Sequence, residues 1–244
     1  MELLKQKFEE IKKSDNPELL NDFLIELNDN PNIEYLNYLK YFVEYLDPQI
    51  LDKIKMNLIF VMGEIGNLAQ IQEEDLRILE QIYYKSDRWI RNEVIQAIDK
   101  VSKNTELNEK IIELISNALL DEYSIIKINT LKLLSHFKKL PDSILKNLIR
   151  LMNSRDPEVL EGCRRILKRI PQQPERIFNL LNKSDNYQIL KPRGIRSLLL
   201  IQFKSIVNTE SFREMILNSS WNDSYKENYI REINTFERIL IKNM

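Results

Sequence analysis

The 244-residue chain has one thiol and one imidazole, Cys163 and His136. Side by side they could form a nucleophile and its base, the imidazole drawing the proton from sulfur before attack. They cannot by themselves make a zinc site, which takes three or four such side chains, so no metal and no cofactor is expected. The four glycines, Gly63, Gly66, Gly162 and Gly194, fall in no phosphate-cradling frame. The adjacent carboxylates Glu73 and Glu74 read as a helix start answering the helix dipole, not as an acid–base couple. Two further clusters could bind rather than react. "DRWIRNEVIQAI" sets Trp89 between two arginines, an arrangement able to stack on a flat ligand or a base. "EGCRRILKRI" and "KPRGIR" supply Arg164, Arg165, Lys168, Lys191, Arg193 and Arg196, a set that could neutralise phosphates or an acidic protein segment.

The elements that must carry these residues repeat. Ile90, Arg91, Val94 and Ala97-Ile98 recur 36 residues earlier as Ile54, Lys55, Leu58 and Val61-Met62. They recur 36 later as Ile126, Lys127, Thr130 and Leu133-Leu134, then as Val159, Leu160, Cys163 and Ile166-Leu167. Ile195, Arg196, Leu199 and Gln202-Phe203 follow, and a looser copy runs from Ile230 and Arg231. Between the copies lie segments such as "EEDLRILEQIYYKS" and "PDSILKNLIRLMNSRD", apolar at helical spacing and ending in Ser, Asp or Asn that can cap the next helix. The unit is therefore helix, short turn, helix, and such a unit must stack on its neighbours to finish its core. Cys163 takes the small buried slot of its copy, where a thiol behaves as a hydrophobe. The basic slot of Lys55, Arg91 and Lys127 reads as a structural ladder along the stack. Arg164 stands where the aligned copies have Ile59, Ile95, Leu131 and Leu200, so packing does not account for it.

Composition agrees with helices. Ile, Leu, Lys, Glu and Asn dominate, with only 4 Gly and 8 Pro. A single cysteine excludes an intrachain disulfide framework. The start, "MELLKQKFEEIKK", is charged and amphipathic rather than a signal peptide, and no apolar run approaches the ~18–20 residues that span a bilayer. The expectation is a cytoplasmic protein with no membrane partner. Charge is unevenly distributed: residues 1–124 carry 14 Lys+Arg against 25 Asp+Glu, and residues 125–213 carry 18 against 7. Opposed halves suggest two different partners, or head-to-tail self-association.

The segments "IKMNLIFVMGEIGN" and "DRWIRNEVIQAI" resemble second helices of HEAT repeats, and the resemblance covers most of residues 14–205. It implies an all-α, right-handed α-α superhelix (solenoid) of about six to seven HEAT-like helix pairs, with second helices lining a concave surface. Residues 1–244 then form one array, with second helices near 17–28, 48–66, 87–101, 122–137, 157–170, 192–206 and 223–242. The expected function is a non-enzymatic scaffold or adaptor for protein partners. Its contact residues are expected to be Trp89, Arg164, Arg165, Lys168, Lys191, Arg193 and Arg196. The alternative is nucleic-acid binding. "KSDRWIRNEVIQAI" and "NYIREI" resemble segments of HEAT-like DNA alkylation-repair glycosylases, which implies a nucleotide-cradling role for Trp89 and Arg91. Tyr229 stands where that family would place a Trp.

Overall fold

The computed structural model describes residues 2–242. Among them the chain is an all-α solenoid without strands, and it divides into two compact units, Met1–Asn117 and Ala118–Met244. The first unit holds α1 (Glu2–Ile11), α2 (Pro17–Asp29), α3 (Leu36–Tyr45), α4 (Pro48–Leu68), α5 (Glu73–Tyr84) and α6 (Arg88–Val101), and α7 (Glu109–Ala118) reaches its boundary. The second unit holds α8 (Ser124–Leu134), α9 (Asp142–Leu151), α10 (Pro157–Leu167), α11 (Pro174–Asn182), α12 (Pro192–Gln202), α13 (Ile206–Leu217) and α14 (Asp223–Lys242).

The helix starts follow from local chemistry. Asn16, Asp47, Asp87 and Asp156 each sit just before a second helix and accept a backbone N–H from its first turn. Pro17, Pro48, Pro157 and Pro192 occupy first-turn positions, where the missing N–H leaves nothing unpaired. Pro141 precedes α9 as its cap residue. The "NKSDN" junction is more than a turn. It continues α11 as a 3-10 stretch, Lys183–Ile189, with Ser184 and Asp185 at φ 53° and 55°. Both lie in the left-handed region, which Asp tolerates better than most residues. The detour delivers Tyr187 to a flat stack on Trp221, ring centroids 4.4 Å apart.

The recurring apolar slots form the core. Ile54, Ile90, Ile126, Val159 and Ile195 are all buried, as are Leu58, Val94, Cys163 and Leu199. Each such aliphatic side chain contributes ~1.5–3 kcal/mol on burial. The last copy sits one residue earlier than the sequence pattern suggests. Tyr229, Ile233 and Phe236 are the buried set, Ile230 is half-buried, and Arg231 points to solvent.

Second helices pack on one another within each unit, α2 on α4 and α4 on α6, then α8 on α10 and α12 on α14. Gly63 admits α6 closely, since a Cβ there would lie 3.2 Å from both Cα and Cβ of Ala97. Side chains about one period apart tie the rows together: Asn57 Nδ2 donates to Asn21 Oδ1 (2.8 Å), and Lys100 Nζ meets Glu64 (2.7 Å). A second set closes helix ends. Asn104 Nδ2 donates to the carbonyls of Gly66 (3.1 Å) and Asn67 (2.9 Å) at the end of α4. Arg169 donates to those of Ser135 (2.9 Å) and Phe137 beyond α8, and Gln202 to that of Leu167 (2.9 Å) on α10. Carbonyls past the last intrahelical bond lack a donor from their own helix, and these side chains supply one; that of Leu167 also takes the Ile170 N–H (3.0 Å).

The basic slot has several fates. Lys55 is buried and pairs with Asp52 of its own helix, and Arg91 donates to the Ser86 carbonyl (3.0 Å) in the preceding turn. The Asp156 carboxyl of the next copy is held below the usual range by the Ser124 hydroxyl and the first-turn N–H groups of α10, and Lys127 adds a smaller part. Arg196 makes a two-pronged contact with Glu232, Nε–Oε2 2.9 Å and Nη2–Oε1 3.3 Å.

Candidate functional site

In α4 the core residues Ile54, Leu58, Val61, Met62 and Ile65 leave a second stripe facing outward, on which Met56, Asn57, Phe60 and Glu64 follow one another. Solvation alone would fill this stripe with polar residues. Instead Met56 and Phe60 are 40% and 39% exposed, and on the matching stripe of α6 Trp89 is 61% exposed. Trp89 sits in the first turn of α6, its N–H held by Asp87 (2.9 Å) and the Arg88 guanidinium 4.9 Å from its ring. Lys100 Nζ lies 4.4 Å from the Phe60 ring centroid while pairing with Glu64. Such cation–ring contacts contribute ~0.5–1 kcal/mol at exposed sites. Glu93, on the same stripe, takes a hydrogen bond from Gln96 (3.2 Å). Burial raises its carboxyl above the usual range, partly offset by Lys100.

The second unit spreads its basic residues over two helices. On α10, Arg164 is half-buried, 3.9 Å from Glu161, with Nε buried and without an acceptor. Arg165 and Lys168 are exposed. Arg165 lines a cavity of about 110 Å³ between α8 and α10, together with Lys132, Glu158, Glu161 and Gly162. On α12 the face is turned. The positions matching Trp89 and Arg165 are Gly194 and Ile201, and both are buried, whereas Arg193, Arg196 and Leu200 are exposed. Asn153 is one cause of the turn. Its Oδ1 accepts the Lys191 N–H (2.8 Å), its Nδ2 donates to the Ile189 carbonyl (3.0 Å), and a Cβ on Gly194 would collide with it. The helix start at Lys191 and Arg193, expected as an anion site, is thus occupied by the Asn153 amide. Arg196 is engaged by Glu232.

Cys163 and His136 do not form a dyad. Cys163 is fully buried, its thiol donating to the Leu148 carbonyl (3.0 Å) and lying 3.6 Å from the Met152 sulfur, while His136 is exposed. Burial pushes the thiol well above its ordinary range. Tyr229 is also buried, its hydroxyl donating to the Tyr187 carbonyl (3.0 Å), so no part of its ring is open to a ligand. Among the described residues no group of three or more His, Cys, Asp or Glu is placed to hold a metal ion, and no helix is long and apolar enough to cross a membrane. Met56 and Phe60 are the surface residues that repeat reading passed over. The available signal was their position, apolar residues on the stripe that the core does not need.

No family model matches the chain, and no curated protein matches it. Among solved structures it is similar to an engineered protein, with a TM-score of 0.51 over 96% of this chain and 98% of that one at 12% identity. It is also similar to a designed armadillo repeat protein solved in complex with the peptide (KR)4, with a TM-score of 0.49, 14% identity and 96% and 99% of the two chains covered. At these identities the likeness concerns the fold alone.

Proposed function

We propose that the chain is a non-enzymatic scaffold that holds protein partners on the outward stripes of its second helices. The observation that carries this reading is the exposure of Met56, Phe60 and Trp89 on adjacent helices, outside the buried core. Aromatic and Met side chains on an otherwise polar surface are the usual anchors of protein interfaces. In the second unit, Arg164, Arg165 and Lys168 on α10, with Lys191, Arg193 and Arg196 at α12, are the proposed contacts for an acidic protein segment. Glu158 and Glu161 interleave with the cations of α10, which favours a protein segment over a nucleic-acid backbone.

The test is partner capture by the intact chain and by Phe60→Ala/Trp89→Ala, each checked for unchanged helicity. Loss of specific partners from the double variant is the expected result; an identical partner set overturns the reading. A duplex-DNA titration across salt checks the alternative. Tight binding that falls steeply with ionic strength, and is lost in Arg165→Glu/Lys168→Glu, would replace the protein partner with nucleic acid for the second unit.

A further inference from the structure

The outward face of the first unit carries a second property besides exposed apolar area. Aligning α2 on α4 through Phe23 and Leu58, both buried, brings Ile25 into register with Phe60, Asp22 with Asn57 and Asp29 with Glu64. Ile25 is 52% exposed, and Asp22 and Asp29 are exposed beside it. Contacts across the rows show that the three stripes adjoin, through Asn57–Asn21 between α4 and α2 and Lys100–Glu64 between α6 and α4. The face therefore alternates apolar side chains (Ile25, Met56, Phe60, Trp89) with carboxylates (Asp22, Asp29, Glu93). Its cations are Lys53, Arg88 against the Trp89 ring, and Lys100, which is committed to Glu64 and the Phe60 ring. The surrounding unit reinforces the sign, since residues 1–117 hold 14 Lys+Arg against 23 Asp+Glu.

We infer that this face docks a basic amphipathic segment of a partner protein, with lysine or arginine side chains alternating with apolar ones. The inference rests on the scaffold reading and specifies the partner of its first unit. Apolar side chains of the segment cover Met56 and Phe60, and its cations meet Asp22, Asp29 and Glu93. A half-buried Glu93 carboxylate gains most from an arriving cation, because it is already partly removed from water. The Trp89 ring offers an open face to a further cation. An acidic segment or a nucleic-acid strand meets like charge on the same face and is rejected. Three helices at ~8–10 Å spacing make a face ~20 Å across, which about six extended residues cross.

The probe is a fluorescein-labelled peptide of about twelve residues, alternating lysine with leucine or alanine, titrated into the full chain by anisotropy. Its counterpart carries glutamate for lysine. Acrylamide quenching of tryptophan follows in parallel, because Trp89 is exposed whereas Trp221 is buried. The lysine peptide is expected to bind, to shield Trp89 from quencher, and to weaken at least ~10-fold in Asp22→Lys/Glu93→Lys and again in Phe60→Ala/Trp89→Ala. The glutamate peptide is expected not to bind. Equal binding of the two peptides, lysine-peptide binding that leaves Trp89 quenching unchanged, or no lysine-peptide binding at all overturns the inference. If cellular partners are lost on Phe60→Ala/Trp89→Ala but kept on Asp22→Lys/Glu93→Lys, the face is a docking site and only its charge preference is wrong. If neither pair of changes alters capture, the scaffold reading falls as well.

Discussion

Two glycines of α4 make a sharp test of how closely the second helices approach. A Cβ at Gly66 would overlap the Val101 side chain and lie 2.9 Å from Ile71 Cδ1 and 3.1 Å from Val101 Cα. Val is stiff at χ1, and its Cα belongs to the backbone of α6, so the helices themselves must part. Overpacking of this kind costs ~1–3 kcal/mol. Alanine in a helix returns up to ~1 kcal/mol over glycine, less near the end of α4 where Gly66 lies. Gly66→Ala should therefore lose ~1–2 kcal/mol, a fall in Tm of about 2–8 °C for a chain of this size. At Gly63 the nearest atoms are Ala97 Cα and Cβ at 3.2 Å and Lys100 Cδ at 3.3 Å. A shift of a few tenths of an ångström relieves these contacts, and the helix gain of ~1 kcal/mol nearly cancels the cost. Gly63→Ala should stay within ~0.5 kcal/mol of the parent. Thermal and urea unfolding of both variants by far-UV circular dichroism gives the comparison. Equal losses at the two sites, or a Gly66→Ala as stable as the parent, would refute the α4–α6 approach described above.

Glu232 is buried and Arg196 half-exposed, so the pair should respond asymmetrically: Arg196→Ala strands a buried carboxylate and costs ~1–2 kcal/mol, whereas Glu232→Gln costs less, as urea midpoints will show. The Asp156 carboxyl is held below the usual range first by the Ser124 hydroxyl and then by backbone N–H groups of α10. Because its folded pKa is depressed, its stabilising contribution is complete above the unfolded carboxylate pKa and is lost as pH falls through the lower folded value. Ser124→Ala should move that titration toward the ordinary carboxylate range, visible in a carbon-detected NMR titration. Cys163 should resist thiol reagents in the folded chain and react at the rate of unfolding; rapid native labelling would contradict its burial.

The repeat was readable because stacking imposes one pocket many times, so Ile54, Ile90, Ile126, Val159 and Ile195 had to be alike. The last copy lies one residue before the Ile230-Arg231 pattern for a physical reason. Tyr229 and Ile230 are adjacent and both apolar, and the Ile-Arg pair imitates the earlier slots, but Tyr229 is the one that reaches the Tyr187 carbonyl and closes the core. The surface was less readable. Trp89 stood out because no other copy has an aromatic there, whereas Met56 and Phe60 look like core residues until the helix phase is fixed. The cations of α12 are legible as a cluster in "KPRGIR", but the face they take is not. Register assumes that matching positions share exposure, and α12 departs from this where Gly194 and Asn153 meet.

The side chains that close the ends of α4, α8 and α10 all belong to the repeat that follows: Asn104, Arg169 and Gln202. The array consequently has a polarity of completion. Stripping a later repeat removes side-chain donors from carbonyls at the negative end of the earlier repeat's helix, whereas stripping an earlier repeat leaves amide and guanidinium groups that water hydrates readily. Loss of structure should therefore spread backward within each unit, a repeat released by the failure of its successor.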